Sequence, residues 1–124
     1  MGMMMKQKAI DTVFVYGTLK QGYTNHYFLE DSLYLGEFKT NPKWGLLDLG
    51  LFPAMVVGSL EVEGEAYGVS EETLDRLDRL EGVEQGLYRR KRISVNDSLG
   101  NSISAWAYIY NAIPHNETTL LAEW

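Results

Sequence analysis

The most informative segment for the architecture is Val13-Phe14-Val15-Tyr16-Gly17-Thr18-Leu19-Lys20-Gln21-Gly22. Its first residues, together with the preceding Thr12, form a β-branched and aromatic run that ends at Tyr16 and is followed by Gly17. This pattern is typical of a buried strand that enters a tight turn. Backbone N–H groups exposed by such a turn can form a concave site for an anion or a developing oxyanion. The segment matches neither the P-loop pattern nor the GxGxxG pattern of nucleotide-binding loops. From these residues alone, a plain structural turn and a binding loop are both open.

Outside this segment, hydrophobic alternation and turn residues predict further short elements. Strands are expected at residues 32–40, 44–48, 53–57, 61–69, 87–95 and 102–111, with a short helix within residues 24–30. One face of the strand at 61–69 carries small residues, Gly64 and Ala66 among them, which indicates close backbone packing. About seven short strands, one or two helices and no regular βαβ alternation predict an α+β fold. We expect a small closed or nearly closed β barrel with flanking helices.

The clearest helical segment is residues 70–81. Ser70 is a good N-cap, the acidic residues after it suit the positive end of the helix dipole, and Gly82 provides a left-handed stop. On a helical wheel Glu81 falls inside a stripe of leucines, whereas the other charged residues fall outside it and are expected to face solvent. The leucines are Leu74, Leu77 and Leu80, and the residues expected to face solvent are Glu71, Glu72, Asp75, Arg76, Asp78 and Arg79.

The position of Glu81 on the leucine face has two interpretations. In the first, the last helical turn frays and the side chain simply reaches water. In the second, the carboxylate is held against apolar surface, where desolvation raises its pKa and suits it to proton transfer near neutral pH. Glu81 is therefore the candidate acid/base residue.

Composition narrows the possible chemistry. The chain of 124 residues has 11 Lys and Arg against 17 Asp and Glu, a formal charge of −6, with no Cys and two His. This length is typical of one domain, here expected to span residues 1–124 with residues 1–10 as a flexible N-terminal extension. The lack of cysteine excludes disulfides and thiolate nucleophiles, and the distant His26 and His115 form no metal-binding pattern. We therefore expect no metal site.

The acidic balance also bears on partners and location. No nucleic acid partner is expected, because the chain lacks the basic stripe that phosphate backbones require. The single basic run, Arg89-Arg90-Lys91-Arg92, lies in a predicted strand and is expected to be a solvated edge whose alternate members face opposite sides. No apolar run approaches the ~20 residues of a membrane span, and the N-terminus has no secretory pattern. A cytoplasmic protein with no membrane partner is expected, and its oligomeric state is not indicated.

Two separated segments resemble one family, in the same order along the chain. Residues 13–22, followed by Asn25-His26, resemble the start of the γ-glutamylamine cyclotransferases and their AIG2-like relatives in the γ-glutamyl cyclotransferase-like superfamily. The runs Gly64-Glu65-Ala66-Tyr67, Leu77-Asp78-Arg79-Leu80-Glu81-Gly82 and Tyr88-Arg89-Arg90 resemble the pattern around the catalytic glutamate of that superfamily. Phe52-Pro53-Ala54 resembles part of the connecting segment, so the resemblance extends over about residues 13–110.

The resemblance implies roles for particular residues. It implies that Glu81 is the catalytic acid/base and that the main chain of the loop at residues 16–19 holds the carboxylate end of a γ-glutamyl group. Tyr88 and one of Tyr108 or Tyr110 are candidate pocket walls or hydroxyl donors, with core packing as the alternative for each. The implied substrate-binding residues are Tyr16, Gly17, Thr18, Leu19, Tyr88, Tyr108 and Tyr110.

The activity that the resemblance implies needs no nucleophile from the protein, and we expect neither a cofactor nor a metal to take part in it. The α-amine of a γ-glutamyl compound attacks its own γ-carbonyl, closes a five-membered lactam and releases an amine, giving 5-oxoproline. We expect γ-glutamylamines as substrates and a small molecule as the partner. Two alternatives stay open: a non-catalytic small-molecule-binding or regulatory module of the same fold, and an enzyme that processes a γ-glutamyl group on a larger carrier. The choice of leaving group is expected to depend on residues 41–44 and 111–124.

Overall fold

A computed structural model describes residues 10–111 and 119–124 of the chain. Its strands are β1 Asp11–Val15, β2 Leu33–Thr40, β3 Trp44–Asp48, β4 Pro53–Val57, β5 Glu63–Val69, β6 Tyr88–Asn96 and β7 Ser102–Tyr110, and its helices are the short 3₁₀ helix His26–Leu29 and α1 Glu71–Leu80. The predicted strands and the α-helix are confirmed, with ends that differ by one or two residues. Of the predicted N-terminal extension, residues 1–9 lie outside the described residues, and Ile10 donates a backbone hydrogen bond to Val69.

The barrel is closed by five of the seven strands. Their order is β1-β5-β2-β6-β7, and β7 pairs in parallel with β1, which places Val13 opposite Trp106. The hairpin of β3 and β4 extends this sheet through a parallel contact between Met55 and Ile109. The predicted α+β barrel is therefore confirmed, with β3 and β4 outside the closed ring.

The two faces of β1 contribute side chains to two separate hydrophobic clusters. Phe14 packs in a cluster that also contains Phe38, Ala66, Ile93 and Ala105. Because this cluster draws on every strand of the ring, it fills the barrel interior. The neighbouring positions on β1 pack instead against the buried leucines of α1, in a second cluster between barrel and helix. One strand thus fixes the helix against the barrel, as alternation along β1 requires.

Close approach of β5 to β1 explains the small residues of β5. A Cβ on Gly64 would overlap the main-chain oxygen of Val15 and lie 2.7 Å from the ring of Phe14. The close backbone packing predicted for this strand is therefore confirmed.

The helix α1 begins and ends as predicted. The hydroxyl of Ser70 accepts a 3.1 Å hydrogen bond from the N–H of Thr73, and Gly82 follows the helix in the left-handed region with φ of 64°. Asp78 is an exception to the predicted solvent-facing set, because it is half-buried and accepts a hydrogen bond from Tyr108 of β7. Leu80 departs from the predicted apolar stripe, since it is exposed. Neither helix in the described part of the chain is long and apolar enough to cross a membrane.

The basic run on β6 has β7 on one side and, within the described residues, no paired strand on the other, because β6 pairs with β2 only at residues 95–96. Three of its four residues are exposed, so the predicted solvated edge is confirmed. Arg90 and Arg92 share one face of β6, with their guanidinium carbons 4.6 and 4.4 Å from the ring centre of Trp106. Arg92 also pairs with Asp11 at 2.8 Å. These two arginines are held by neighbouring strands.

Candidate active site

A cavity of about 330 Å³ opens beside the C-terminal end of α1. Its principal walls are Phe14–Leu19, Leu51–Pro53, Leu80-Glu81, Leu87-Tyr88 and Tyr108. These segments are far apart in the sequence, and closure of the barrel brings the end of β1, the β3–β4 turn, the end of α1 and the start of β6 to one place. A concave, mostly apolar cavity with a few polar groups is the usual form of a small-molecule site.

Glu81 caps the C-terminal end of α1 and lines this cavity. Its backbone N–H donates to the oxygen of Leu77 at 2.9 Å, so the last turn is closed rather than frayed. The residue is half-buried, and in the described ranges no group donates a hydrogen bond to its carboxylate and no cation pairs with it. Burial without such a partner raises the pKa of Glu81 to about 7. A carboxyl group with this pKa can both accept and release a proton near neutrality.

The loop after β1 presents main-chain donors to the same cavity. The N–H of Lys20 donates to the oxygen of Gly17 at 3.0 Å, which closes the predicted turn. Asn25, which also lines the cavity, holds the loop in place, because its side-chain amide donates to the hydroxyl of Thr18 at 2.9 Å and its backbone N–H donates to the Thr18 oxygen. The main-chain N–H groups of Thr18 and Leu19 donate to no acceptor among the described residues. They are therefore available to an anionic or carbonyl oxygen in the cavity.

Gly17 is required where this loop passes the beginning of β4. A Cβ at this position would lie 2.6 Å from Cγ and 2.8 Å from Cδ of Pro53. The main-chain oxygen of Pro53 in turn accepts a 3.2 Å hydrogen bond from the hydroxyl of Tyr88. Pro53 thus connects two other walls of the cavity: it packs against Gly17 and accepts a hydrogen bond from Tyr88.

Three tyrosines stand close to Glu81, and each already donates its hydroxyl hydrogen to the protein. The acceptors are the main-chain oxygen of Tyr108 for Tyr16 (2.7 Å), that of Pro53 for Tyr88 (3.2 Å) and Oδ1 of Asp78 for Tyr108 (2.7 Å). Burial raises the pKa of all three phenols, and the charge of Glu81 adds to the effect. In this state their rings are walls of the cavity, and their hydroxyls are not free to donate to a substrate.

Asp78 anchors the wall formed by Tyr108. Its second oxygen lies 3.5 Å from Nη1 of Arg90, so the carboxylate is shared between a phenol from β7 and an arginine from β6. This network joins the last turn of α1, which directly precedes Glu81, to two barrel strands.

Most of the predicted site residues meet at this cavity. The structure brings together Glu81, the loop at 16–19, Tyr88 and Tyr108. Tyr110 is not among the described residues that line it, since its ring packs against Tyr88 with centroids 5.2 Å apart. The roles of these residues toward a substrate stay predictions.

Some residues that line the cavity were not predicted from the sequence, and the segments predicted to select the leaving group do not line it in the described part of the chain. Leu51, Phe52 and Leu87 line the cavity but were not predicted as site residues; their only signal is that they are apolar side chains in turns. In contrast, no lining comes from the described residues of the segments 41–44 and 111–124 that were expected to select the leaving group, and residues 112–118 lie outside the described part. No three His, Asp or Glu side chains within residues 10–111 and 119–124 are placed to hold a metal ion.

Most of the chain is similar to proteins of one family. Residues 13–124 match the family model described as "Gamma-glutamyl cyclotransferase, AIG2-like". A protein of Vibrio cholerae that is provisionally named a gamma-glutamylcyclotransferase is 47% identical over 98 residues, covering 79% of this chain and 80% of its own length. The gamma-L-glutamyl-butirosin B gamma-glutamyl cyclotransferase of Niallia circulans is 38% identical over 112 residues, covering 86% of this chain and 70% of its own.

A solved structure agrees with the fold. The crystal structure of an AIG2-like protein from Mus musculus superposes with a TM-score of 0.83 at 25% sequence identity, covering 94% of this chain and 89% of that one. The fold and the site together define a small β barrel with an unpaired carboxylate beside a main-chain donor loop. The chain belongs to the γ-glutamyl cyclotransferase, AIG2-like, family.

Proposed function

We propose that this protein is a γ-glutamylamine cyclotransferase in which Glu81 is the acid/base catalyst. The observation that carries the proposal is the half-buried Glu81 carboxylate, which has no hydrogen-bond donor or cation among the described residues and lines a cavity floored by the loop at 16–19. Membership of the family supports cyclotransferase chemistry in general. The choice of γ-glutamylamines and the role of Glu81 are the proposed parts.

The reaction is an intramolecular transfer of the γ-glutamyl acyl group. Glu81 removes one proton from the α-ammonium group, and the resulting amine attacks the γ-carbonyl carbon to form the ring C–N bond, which leaves two hydrogens on the ring nitrogen. The bond from that carbon to the outer nitrogen then breaks as Glu81 returns the first proton to the departing amine. The ring nitrogen loses its second hydrogen as a proton, which the released amine takes up, so the lactam is neutral and the amine leaves as an ammonium ion. One γ-glutamylamine thus gives one 5-oxoproline and one amine, with no other reactant consumed.

Orientation of the substrate accounts for much of the proposed rate enhancement. The extended γ-glutamyl chain must fold so that its α-amine meets its γ-carbonyl, and a site that holds this geometry lowers the barrier by roughly 7–11 kcal/mol. The rings of Tyr16 and Tyr88 are walls of the cavity in which the substrate would fold. Proton transfer by a positioned carboxyl group adds about 10²- to 10⁴-fold.

Main-chain donors suit the charged end of the substrate. The N–H groups of Thr18 and Leu19 have no acceptor in the described part of the chain, and hydrogen bonds from backbone N–H groups stabilise a carboxylate. We assign them to the α-carboxylate of the γ-glutamyl group. This arrangement leaves the γ-carbonyl and the α-amine within the region of Glu81.

The proposal is tested by product analysis with a panel of substrates. The purified protein, Glu81→Gln and the control Glu84→Gln are incubated with a γ-glutamylamine, a γ-glutamyl amino acid and glutathione, and 5-oxoproline is measured by mass spectrometry. Glu84 is exposed and does not line the cavity, so it matches Glu81 in chemistry but not in position. We expect the wild type and Glu84→Gln to release 5-oxoproline fastest from the γ-glutamylamine, and Glu81→Gln to release none.

Two outcomes would contradict the proposal. Equal product from the wild type and Glu81→Gln would remove Glu81 from its assigned role. Binding of the panel by folded wild-type protein without any 5-oxoproline would favour a non-catalytic binding module instead.

A further inference from the structure

The mouth of the candidate active site is built of exposed apolar side chains. Leu51 is 88% exposed, Phe52 41%, Leu80 38% and Leu87 49%, and all four line the cavity. A single exposed leucine on a protein surface is ordinary. Here, however, side chains from the β3–β4 turn, the end of α1 and the loop before β6 converge on one opening. Such convergence beside a cavity is typical of a ligand-binding surface.

The cavity contains almost no fixed charge. Among the described residues that line it, Glu81 is the only Asp, Glu, Lys, Arg or His. A ligand group that carried its own charge into the mouth would lose solvation, and the single charged residue of the lining, Glu81, is assigned to the reacting nitrogens rather than to the substituent. The mouth therefore favours an uncharged group.

The proposed reaction fixes which part of the substrate lies at the mouth. The α-carboxylate needs the main-chain donors of Thr18 and Leu19, which belong to the largely buried loop. The departing nitrogen must lie within reach of Glu81 to receive its proton. Because the loop side of the cavity is largely buried whereas the leucines of the mouth form an exposed part of its lining, the substituent on that nitrogen extends along this exposed side.

We propose that Leu51, Phe52, Leu80 and Leu87 form the subsite for the departing amine, and that this subsite selects amines with an uncharged alkyl or aryl substituent. The inference rests on the proposed function and adds to it the class of amine. The protein as a whole carries a charge of −6, and long-range attraction alone would favour a cationic amine. The apolar mouth thus favours an uncharged amine, whereas the acidic surface favours a cationic one, and the two effects can be separated by experiment.

The test compares amides that share the γ-glutamyl group and differ only in the amine. One series contains the ethyl, butyl and hexyl amides of the γ-carboxyl group. Two further compounds match the hexyl amide in length but end in an ammonium group, as in the monoamide of cadaverine, or in a carboxylate. We expect kcat/KM to rise about two- to fourfold for each added methylene. We expect the hexyl amide to exceed both charged compounds by about tenfold or more.

Polar substitutions at the rim test the subsite directly. Leu51→Ser and Leu87→Ser are expected to flatten the dependence of kcat/KM on chain length. The matched control is Leu99→Ser, because Leu99 is 85% exposed in the β6–β7 turn and does not line the cavity. This control is expected to keep the full chain-length dependence.

Binding separates this inference from the proposed function. The dissociation constants of the same amides are measured calorimetrically with Glu81→Gln, with and without Leu51→Ser. Failure of wild-type turnover with every amide would overturn the proposed function, while chain-length-dependent binding that Leu51→Ser abolishes would still support the apolar subsite. Affinity that is independent of chain length, preference for the cadaverine amide, or an equal effect of Leu99→Ser would overturn the subsite.

Discussion

The hydroxyl of Tyr108 donates a 2.7 Å hydrogen bond to Oδ1 of Asp78, one helical turn before Glu81. The bond joins a barrel strand to the helix that carries the candidate catalyst. It also holds the ring of Tyr108 in the cavity wall, so the position of Glu81 depends on a pair of residues that do not themselves perform the proposed chemistry.

A double-mutant cycle measures this pair. Asp78→Ala and Tyr108→Phe are each expected to lower the free energy of unfolding by about 1–2 kcal/mol, because each leaves a partly buried polar group without its partner. The double variant should lose about 1 kcal/mol less free energy of unfolding than the sum of the losses of the two single variants. The measurement is urea unfolding of the four proteins. Asp75→Ala is the control, since Asp75 is exposed on the same helix, and strictly additive effects of Asp78→Ala and Tyr108→Phe would contradict the coupling.

The contact between Gly17 and Pro53 predicts a steric cost that a second change relieves. Gly17→Ala places a Cβ 2.6 Å from Cγ of Pro53 and is expected to destabilise the protein by about 1–3 kcal/mol. In a Pro53→Ala background the opposing Cγ and Cδ atoms are gone, so the same change should cost clearly less. Thermal or urea unfolding of the four proteins checks this. The same cost in both backgrounds would show that the clash with Pro53 is not the cause.

Burial of Glu81 predicts a dependence of stability on pH. Its pKa is raised from 4.5 to about 7 in the folded chain, so between these values the folded state binds a proton that the unfolded state does not. The stability associated with this group is fully present below pH 4.5 and is lost as the pH rises through 7, by about 3 kcal/mol in total. Glu81→Gln cannot ionise, so its stability relative to wild type should increase over the same window.

Urea unfolding across this pH range measures the difference. The exposed control, Glu84→Gln, is expected to follow the wild-type curve. A constant difference between Glu81→Gln and wild type at every pH would mean that the carboxylate is not desolvated in the folded protein.

The elements that could be predicted from sequence are those fixed by local chemistry. Alternation and a glycine stop located β1, and Ser70 with Gly82 located the ends of α1. The strand pairing that closes the predicted barrel could not be assigned in this way, because it joins Val13 to Trp106, which are distant in the sequence.

The candidate site shows the same limit. The leucine stripe placed Glu81 on the inner face of the helix, because that face is a property of the helix alone. The wheel placed Asp78 in solvent, however, since it contains no information on Tyr108 packing above it from β7. Tyr108 and Tyr110 lie on the same face of one strand, and only the position of the cavity along that strand separates a wall residue from its neighbour.

Proton transfer by Glu81 is visible in the pH profile of turnover. With the γ-glutamylamine that wild type uses fastest, kcat/KM for 5-oxoproline formation is measured for wild type, Glu84→Gln and Glu81→Gln. We expect wild type and Glu84→Gln to lose activity tenfold per pH unit below an apparent pKa of about 7, as the base form of Glu81 disappears, and Glu81→Gln to be inactive throughout. Wild-type activity that is flat through pH 7, or a Glu81→Gln variant that keeps the wild-type rate and profile, would contradict this role of Glu81.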